Sequence, residues 1–173
     1  MDAVPPASLR LFIGLWPPPP VHAALLAQAD AWSWPPSARR THPERLHVTL
    51  HFLGEVAGER LRDLREGLAV PAEAFELVLD RQEVWPGGIA VLEAGVVPAA
   101  LAGLHERLAQ RLAALGLPTE TRRYRPHVTL ARKAMGARPP PAPSPVSWRA
   151  GPGFALVRSL PGGRGYETLQ SFG

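Results

Sequence analysis

The tetrapeptide His-Val-Thr-Leu occurs twice in this chain, at His47–Leu50 and at His127–Leu130, 80 residues apart. Each copy has an arginine two residues upstream, Arg45 and Arg125. Side chains on a strand alternate between faces, so each copy would place a histidine and a threonine on one face and Val and Leu on the other. The apolar face needs a core behind it. Core packing would account for the recurrence of Val and Leu, but it makes no demand for His and Thr on the opposite side. Two such strands facing one cleft would gather two imidazoles and two hydroxyls around one small anion, which is an arrangement suited to phosphate.

The rest of the sequence supplies elements to carry these strands. Alternation over Leu9, Leu11, Ile13 and Leu15 predicts a first strand whose other face carries Arg10, Phe12 and Trp16. Pro17–Pro20 stop it and lead into a helix from about Val21 to Trp32. Trp34–Pro36 and Arg39–Thr41 form an exposed loop. The first motif strand is expected over Leu46–Leu53, with Leu46, Val48, Leu50 and Phe52 facing the core and Gly54 ending it. Leu61, Leu64 and Leu68 mark a second helix. Phe75, Leu77 and Leu79 mark a third strand, and Trp85–Gly88 a turn. Ile89–Val96, apolar on both faces, predicts a central strand. Pro98 opens a leucine-striped helix that Gly116 closes. A basic approach through Arg122, Arg123 and Arg125 leads into the second motif strand. Residues 137–145 hold five prolines and read as a surface loop, before two last strands at Phe154–Val157 and Tyr166–Phe172.

A motif strand following a helix in each half suggests duplication, and strand pairs without crossover helices imply mainly antiparallel sheet. The expected fold is α+β and bilobal: one domain over residues 1–173, built from two similar lobes with one motif strand in each. Its two pseudo-symmetric sheets, with outer helices, would surround a central cleft.

The 173 residues contain no cysteine, which excludes thiolate metal sites and a Cys nucleophile. Arg outnumbers Lys eighteen to one and the net charge is +4; this suits a polyanionic partner but equally a GC-rich genome. Met1–Ser8 has no basic n-region, and no apolar run approaches the ~20 residues that span a bilayer. A cytoplasmic monomer without membrane contact is therefore expected. His47-x-x-x-His51 has zinc-like spacing only on a helix; on a strand, four residues at ~3.3 Å rise separate the pair by ~13 Å. No metal and no cofactor is expected. His22, His42 and His105 read as solvated.

At the repeated motifs the sequence resembles the two-histidine phosphoesterase superfamily, and within it the RNA 2′,3′-cyclic phosphodiesterases, also called 2′-5′ RNA ligases. The resemblance spans nearly the whole chain: Leu9–Ile13, Leu46–Val56, Arg125–Arg132 and Tyr166–Leu169 look like the family's first strand, two signatures and closing strand. It implies that His47 is the proton donor and His127 the proton acceptor. Thr49 and Thr129 would hold non-bridging phosphate oxygens, and Arg132 would contact the phosphate. Strict alternation would instead aim Arg132 away from His127 and bring Lys133 to the cleft, unless a bulge or the strand's end intervenes.

The implied activity is hydrolysis of RNA 2′,3′-cyclic phosphate ends to 2′-phosphomonoesters, with RNA as the partner and 2′-5′ ligation as the reverse step. Phe12, Trp16 and Trp34 are candidates to stack a base, with core packing as the alternative, and Phe12 is placed among the substrate-binding residues. Two other readings are a non-catalytic RNA- or nucleotide-binding module and an esterase for small cyclic phosphodiesters.

Overall fold

The computed structural model describes residues 7–142 and 144–173. The first six residues of the leader reading at Met1–Ser8, and Pro143 of the proline-rich loop, lie outside these. Among the described residues no helix is long and apolar enough to cross a membrane.

Among the described residues, nine strands form one hydrogen-bonded, antiparallel sheet. In chain order they are β1 (Ser8–Leu15), β2 (Arg39–Arg40), β3 (Val48–Ala57), β4 (Phe75–Trp85), β5 (Ile89–Ala94), β6 (His127–Arg132), β7 (Val146–Ala150), β8 (Phe154–Ser159) and β9 (Tyr166–Phe172). The spatial order is β7-β4-β5-β6-β3-β1-β8-β9, with β2 beside β6. The two motif strands, β3 and β6, are neighbours at its centre. They meet through one residue pair, Val48 with Val128, so the sheet is two halves of four main strands joined at the motifs, with the short β2 added to the half of β6.

Among the described residues there are three α-helices: α1 (Pro19–Ala31), α2 (Leu61–Gly67) and α3 (Ala99–Ala114). Leu101, Leu104, Leu108 and Leu112 of α3 are all buried, and their spacing puts them on one helical face. Gly116 follows with φ +76°, a left-handed closure that glycine adopts without strain. The two longer helices cross over. α1 begins beyond β1 but is tied to the other half, where Gln82 Nε2 on β4 donates to Gln28 Oε1 at 2.7 Å. α3 begins beyond β5 but is tied to β3, where His51 Nε2–H donates to the His105 carbonyl at 2.9 Å.

Several expectations are corrected. Leu46 and His47 precede β3 rather than opening it, and Gly54 lies inside that strand at φ +72°. Phe52 is 59% exposed instead of facing the core, and His51 is buried in its place. The reason is a register shift against β1: Gly14 pairs with Thr49 and Ile13 with His51, leaving Leu50 as an extra residue. The extra residue inverts the side chains that follow it, until a second shift at Leu53 restores the first phase and buries Val56. β7 arises directly after the proline-rich loop, with Val146, Trp148 and Ala150 buried and the residues between them exposed. Arg39–Arg40, expected as loop, pair with Arg132 and Ala131. His105 is not simply solvated, because its ring stacks between His51 (4.1 Å) and Tyr124 (4.0 Å).

Candidate active site

The two motifs open onto one cleft of about 640 Å3, lined by His47, Thr49, His127, Thr129, Arg132 and Lys133 among others. With Val48 opposite Val128 in an antiparallel pair, continuing the register sets His47 across from Thr129 and Thr49 across from His127. The register thus brings both histidines and both threonines to one region of the cleft.

Both imidazoles are oriented by the same device. His47 Nδ1–H donates to the Arg45 carbonyl at 2.6 Å, and His127 Nδ1–H to the Arg125 carbonyl at 2.7 Å. A carbonyl can only accept, so Nδ1 carries the proton in both rings and Nε2 is left to exchange one. His47 Nε2 lies 2.9 Å from Thr49 Oγ1, a bond in which the hydroxyl donates while the ring is neutral. Both rings are held below the ordinary histidine range. For His47 burial is the main cause, opposed by the Arg45 carbonyl and aided by repulsion from His127. For His127 burial again leads; the Arg125 carbonyl and Glu93 oppose it, and the charges of Arg125 and Arg132 reinforce it.

An aromatic ring covers each histidine. Trp16 stacks on His47 at 4.8 Å and 10°, while Trp85 meets His127 edge-on at 4.4 Å and 60°. The close approach at His47 needs Gly14, because a Cβ there would come within 2.9 Å of the Trp16 ring and 3.4 Å of His47 Cδ2. Beneath the motif, Tyr124 donates its hydroxyl to the Thr49 carbonyl at 2.9 Å.

The second motif repeats the bulge of the first. Val91 pairs with Thr129 and Ala90 with Ala131, leaving Leu130 as the extra residue. The inversion brings Arg132 onto the His127 face. Lys133 then adopts φ +51°, a left-handed conformation uncommon outside glycine, and it too lines the cleft. Both cations thus reach a face on which strict alternation would place only one. Counting from each bulge, Phe52 occupies in the first motif the position that Arg132 holds in the second.

Phe12 is only 2% exposed. It packs against His47 (5.0 Å), Tyr166 (4.9 Å) and Phe52 (6.1 Å). Its neighbours Phe52 and Tyr166, at 59% and 38% exposure, present the open aromatic surface. Trp34 stacks on Trp32 and donates to the Ala29 carbonyl, in the region where α1 ends. Arg125, read from sequence as part of a basic approach, makes two bonds of 2.7 Å to the buried Glu93 and lies 4.5 Å from the Trp85 ring centre. Tyr166, Phe52 and Trp85 were not singled out as site residues from the sequence. The exact recurrence of the tetrapeptide could have pointed to Phe52 and Arg132 together, had a bulge been placed after each copy.

Among the described residues no group of three or more His, Asp or Glu side chains is gathered to hold a metal ion. His51 directs its Nε2 at the His105 carbonyl and not toward His47.

The model of the 2′-5′ RNA ligase superfamily matches residues 17–148, a span that includes both motifs. The chain belongs to that superfamily. An RNA 2′,3′-cyclic phosphodiesterase of Thermus thermophilus is 34% identical over 188 residues, covering 95% of this chain and 89% of its relative. In structure, the chain is similar to Escherichia coli LigT in apo form, with a TM-score of 0.80 and 27% identity over 95% and 96% of the two chains. It is similar also to LigT complexed with 3′-AMP, with a TM-score of 0.78 and 28% identity over 95% and 97%. These LigT likenesses cover 95% of the chain, more than the 17–148 span that the superfamily model matches.

Proposed function

We propose that this chain hydrolyses RNA 2′,3′-cyclic phosphate ends to 2′-phosphomonoesters through a two-histidine acid–base mechanism. The observation that carries the reading is the matched orientation of His47 and His127. Both hold Nδ1–H on a carbonyl two residues upstream, and both line one cleft.

A 2′,3′-cyclic phosphate is a strained five-membered diester, so opening it requires positioning and proton transfer more than a strong nucleophile. Water lies between phosphorus and His127, whose Nε2 takes its proton as the P–O bond forms. The P–O3′ bond breaks on the opposite side, and His47 Nε2–H gives its proton to O3′. The product is a 2′-phosphomonoester with a free 3′-hydroxyl. Thr49 and Thr129 hydroxyls and the Arg132 guanidinium meet the charge on the non-bridging oxygens.

A lowered pKa makes each ring a ready proton acceptor in the free protein. The bound phosphate monoanion lying between them draws a proton onto His47, which then serves as the acid. If an RNA 5′-hydroxyl replaces water, the reverse of this step joins two strands through a 2′-5′ linkage. The Thermus thermophilus relative is an RNA 2′,3′-cyclic phosphodiesterase, which favours hydrolysis as the forward reaction.

The donors needed are all side chains of this protein, so the reaction proceeds without metal. The matching bulges at Leu50 and Leu130 support a single unit built from two similar lobes. A monomer in the cytoplasm is the setting in which such an enzyme meets RNA ends. The test is a defined oligonucleotide ending in a 2′,3′-cyclic phosphate, incubated with purified protein in EDTA. Opening to the 2′-phosphate is expected. RNA binding without opening would favour the binding-module reading, and rescue only by a divalent ion would overturn the metal-free mechanism.

A further inference from the structure

The cleft continues past the motif strands. Beside His47 a second cavity of about 370 Å3 opens between Trp16, the 42–45 turn and the start of β9. It shares His42, Arg45 and Tyr166 with the main cleft, so these three side chains form a wall common to both spaces. Arg164 and Thr168 also line it. Two guanidinium groups, of Arg45 and Arg164, are set against one carboxylate, Glu44, which leaves the cavity net positive. Arg45 is already fixed in place, since it donates to the Gly163 carbonyl at 2.6 Å and sits 5.8 Å from the Tyr166 ring centre. A guanidinium has five N–H donors, so others remain for an anion.

The chemistry gives this cavity a direction. In-line displacement puts the leaving oxygen, with its ribose and the chain running 5′ from it, on the side of the acid. If His47 is that acid, the upstream RNA lies on the His47 side. The aromatic rings gather there: Phe12, Trp16 and Tyr166 have centroids 5.0, 4.8 and 5.5 Å from that of His47.

We infer that the second cavity is a subsite for the nucleotide immediately 5′ of the one bearing the cyclic phosphate. Arg45 and Arg164 take the linking phosphodiester, and the enzyme is thereby built for oligonucleotide ends in preference to mononucleotides. The inference rests on the proposed role of His47, and it adds to that role the place where the RNA upstream of the cyclic phosphate is held.

The experiment compares kcat/KM for three substrates: a nucleoside 2′,3′-cyclic phosphate, the same compound with a 5′-phosphate, and a dinucleotide ending in the cyclic phosphate. The dinucleotide is expected to lead the nucleoside by about tenfold or more, because a charge-assisted contact to the linking phosphate is gained. Arg164→Ala should remove most of that ratio, and Arg39→Ala, on the β2 edge, should leave it intact. A dinucleotide no better than the nucleoside would overturn the subsite. A 5′-phosphate that delivers the whole gain would reassign the cavity to a bare phosphate. A ratio lost in Arg39→Ala and kept in Arg164→Ala would mean that the chain runs the other way.

Equilibrium binding of the same three ligands to His127→Ala, with and without Arg164→Ala, reads the subsite without turnover. A preference for the dinucleotide there that depends on Arg164, while the unaltered protein opens none of the three, would sink the proposed reaction and leave the subsite standing.

Discussion

Val48 and Val128 pair at the centre of the sheet, and the two histidines that precede them hold their rings in the same way. The point of pairing is therefore an approximate two-fold axis between motifs. Symmetry of this kind presents two equivalent bases to one anion. The reaction proposed here needs them to be inequivalent, one charged and one neutral, and the surroundings supply the difference. His127 has Glu93, Arg125 and Arg132 within electrostatic reach, whereas for His47 the charged neighbour is His127 itself.

Replacing His47 or His127 by Ala is expected to slow opening of the cyclic phosphate by ~10²–10⁴-fold. RNA affinity should change little, because Arg132, Lys133 and the aromatic surface remain. Single-turnover cleavage and equilibrium binding on the same variants check this. Binding lost in proportion to rate would make the histidines anion ligands and remove the acid–base assignment.

The pH profile should be bell-shaped, with kcat/KM and kcat displaced from one another. Both rings titrate below the ordinary histidine value in the free protein, so the form with one proton becomes scarce as pH rises through neutrality. The optimum of kcat/KM then lies on the acid side. A bound anion holds the proton on His47 more tightly, which moves the optimum of kcat upward. A kcat/KM optimum on the alkaline side would contradict the assignment.

Phe12 and Phe52 should separate stability from binding. Phe12→Ala removes a buried ring and is expected to cost ~3–5 kcal/mol of stability, read from a denaturant midpoint. Phe52→Ala should barely move that midpoint, since the side chain is mostly exposed. It should weaken oligonucleotide binding by ~1–3 kcal/mol if the ring stacks a base. Unchanged binding in Phe52→Ala would leave Trp16 and Tyr166, at 36% and 38% exposure, as the rings beside His47 able to take a base.

Gly14→Ala tests how tightly His47 must be held. The added methyl meets the Trp16 ring at 2.9 Å, so the Trp16–His47 stack has to shift. We expect kcat to fall by about tenfold or more while the protein stays folded, because small displacements of reacting groups are expensive in rate. Single-turnover rates beside a circular dichroism melt would show whether that is so.

The stack of His51, His105 and Tyr124 should make stability acid-sensitive. His105 titrates at about 4, chiefly through burial and then through repulsion from His51. In the unfolded chain it takes up its proton near the ordinary 6.5. Between those two values the unfolded state binds more protons, so stability falls as the pH is lowered through that window. Denaturant unfolding from neutrality to pH 4 should show the decline, and His105→Gln should flatten part of it.

The motif residues themselves were legible from sequence, because an exact tetrapeptide repeat on the polar face of a strand has no explanation in packing. The leucine stripe of α3, with Gly116 closing it, was equally plain, since one helical face and one left-handed residue are local signals. What the sequence hid was phase. The bulges at Leu50 and Leu130 depend on partners that are distant in the chain, β1 and β5. Without them Phe52 reads as core, His51 as cleft and Arg132 as turned away. β7 was obscured for a different reason. Its alternation at Val146, Trp148 and Ala150 is clean, but it begins next to Pro145, and the proline signal extends the apparent loop over it. Arg39–Arg40 form too short a strand for any periodicity to reveal.

The strand order also decides when the protein can acquire activity during its own synthesis. The half that carries His127 draws its four main strands, β4 to β7, from one uninterrupted stretch that is complete at Ala150. The half that carries His47 pairs β1 with both β3 and β8, and β8 with β9. A nascent chain therefore waits, with one edge of β1 uncovered, until β8 has left the ribosome. A premature stop after Ala150 would spare every motif residue and still disable the enzyme, by denying the earliest-made strand its neighbour.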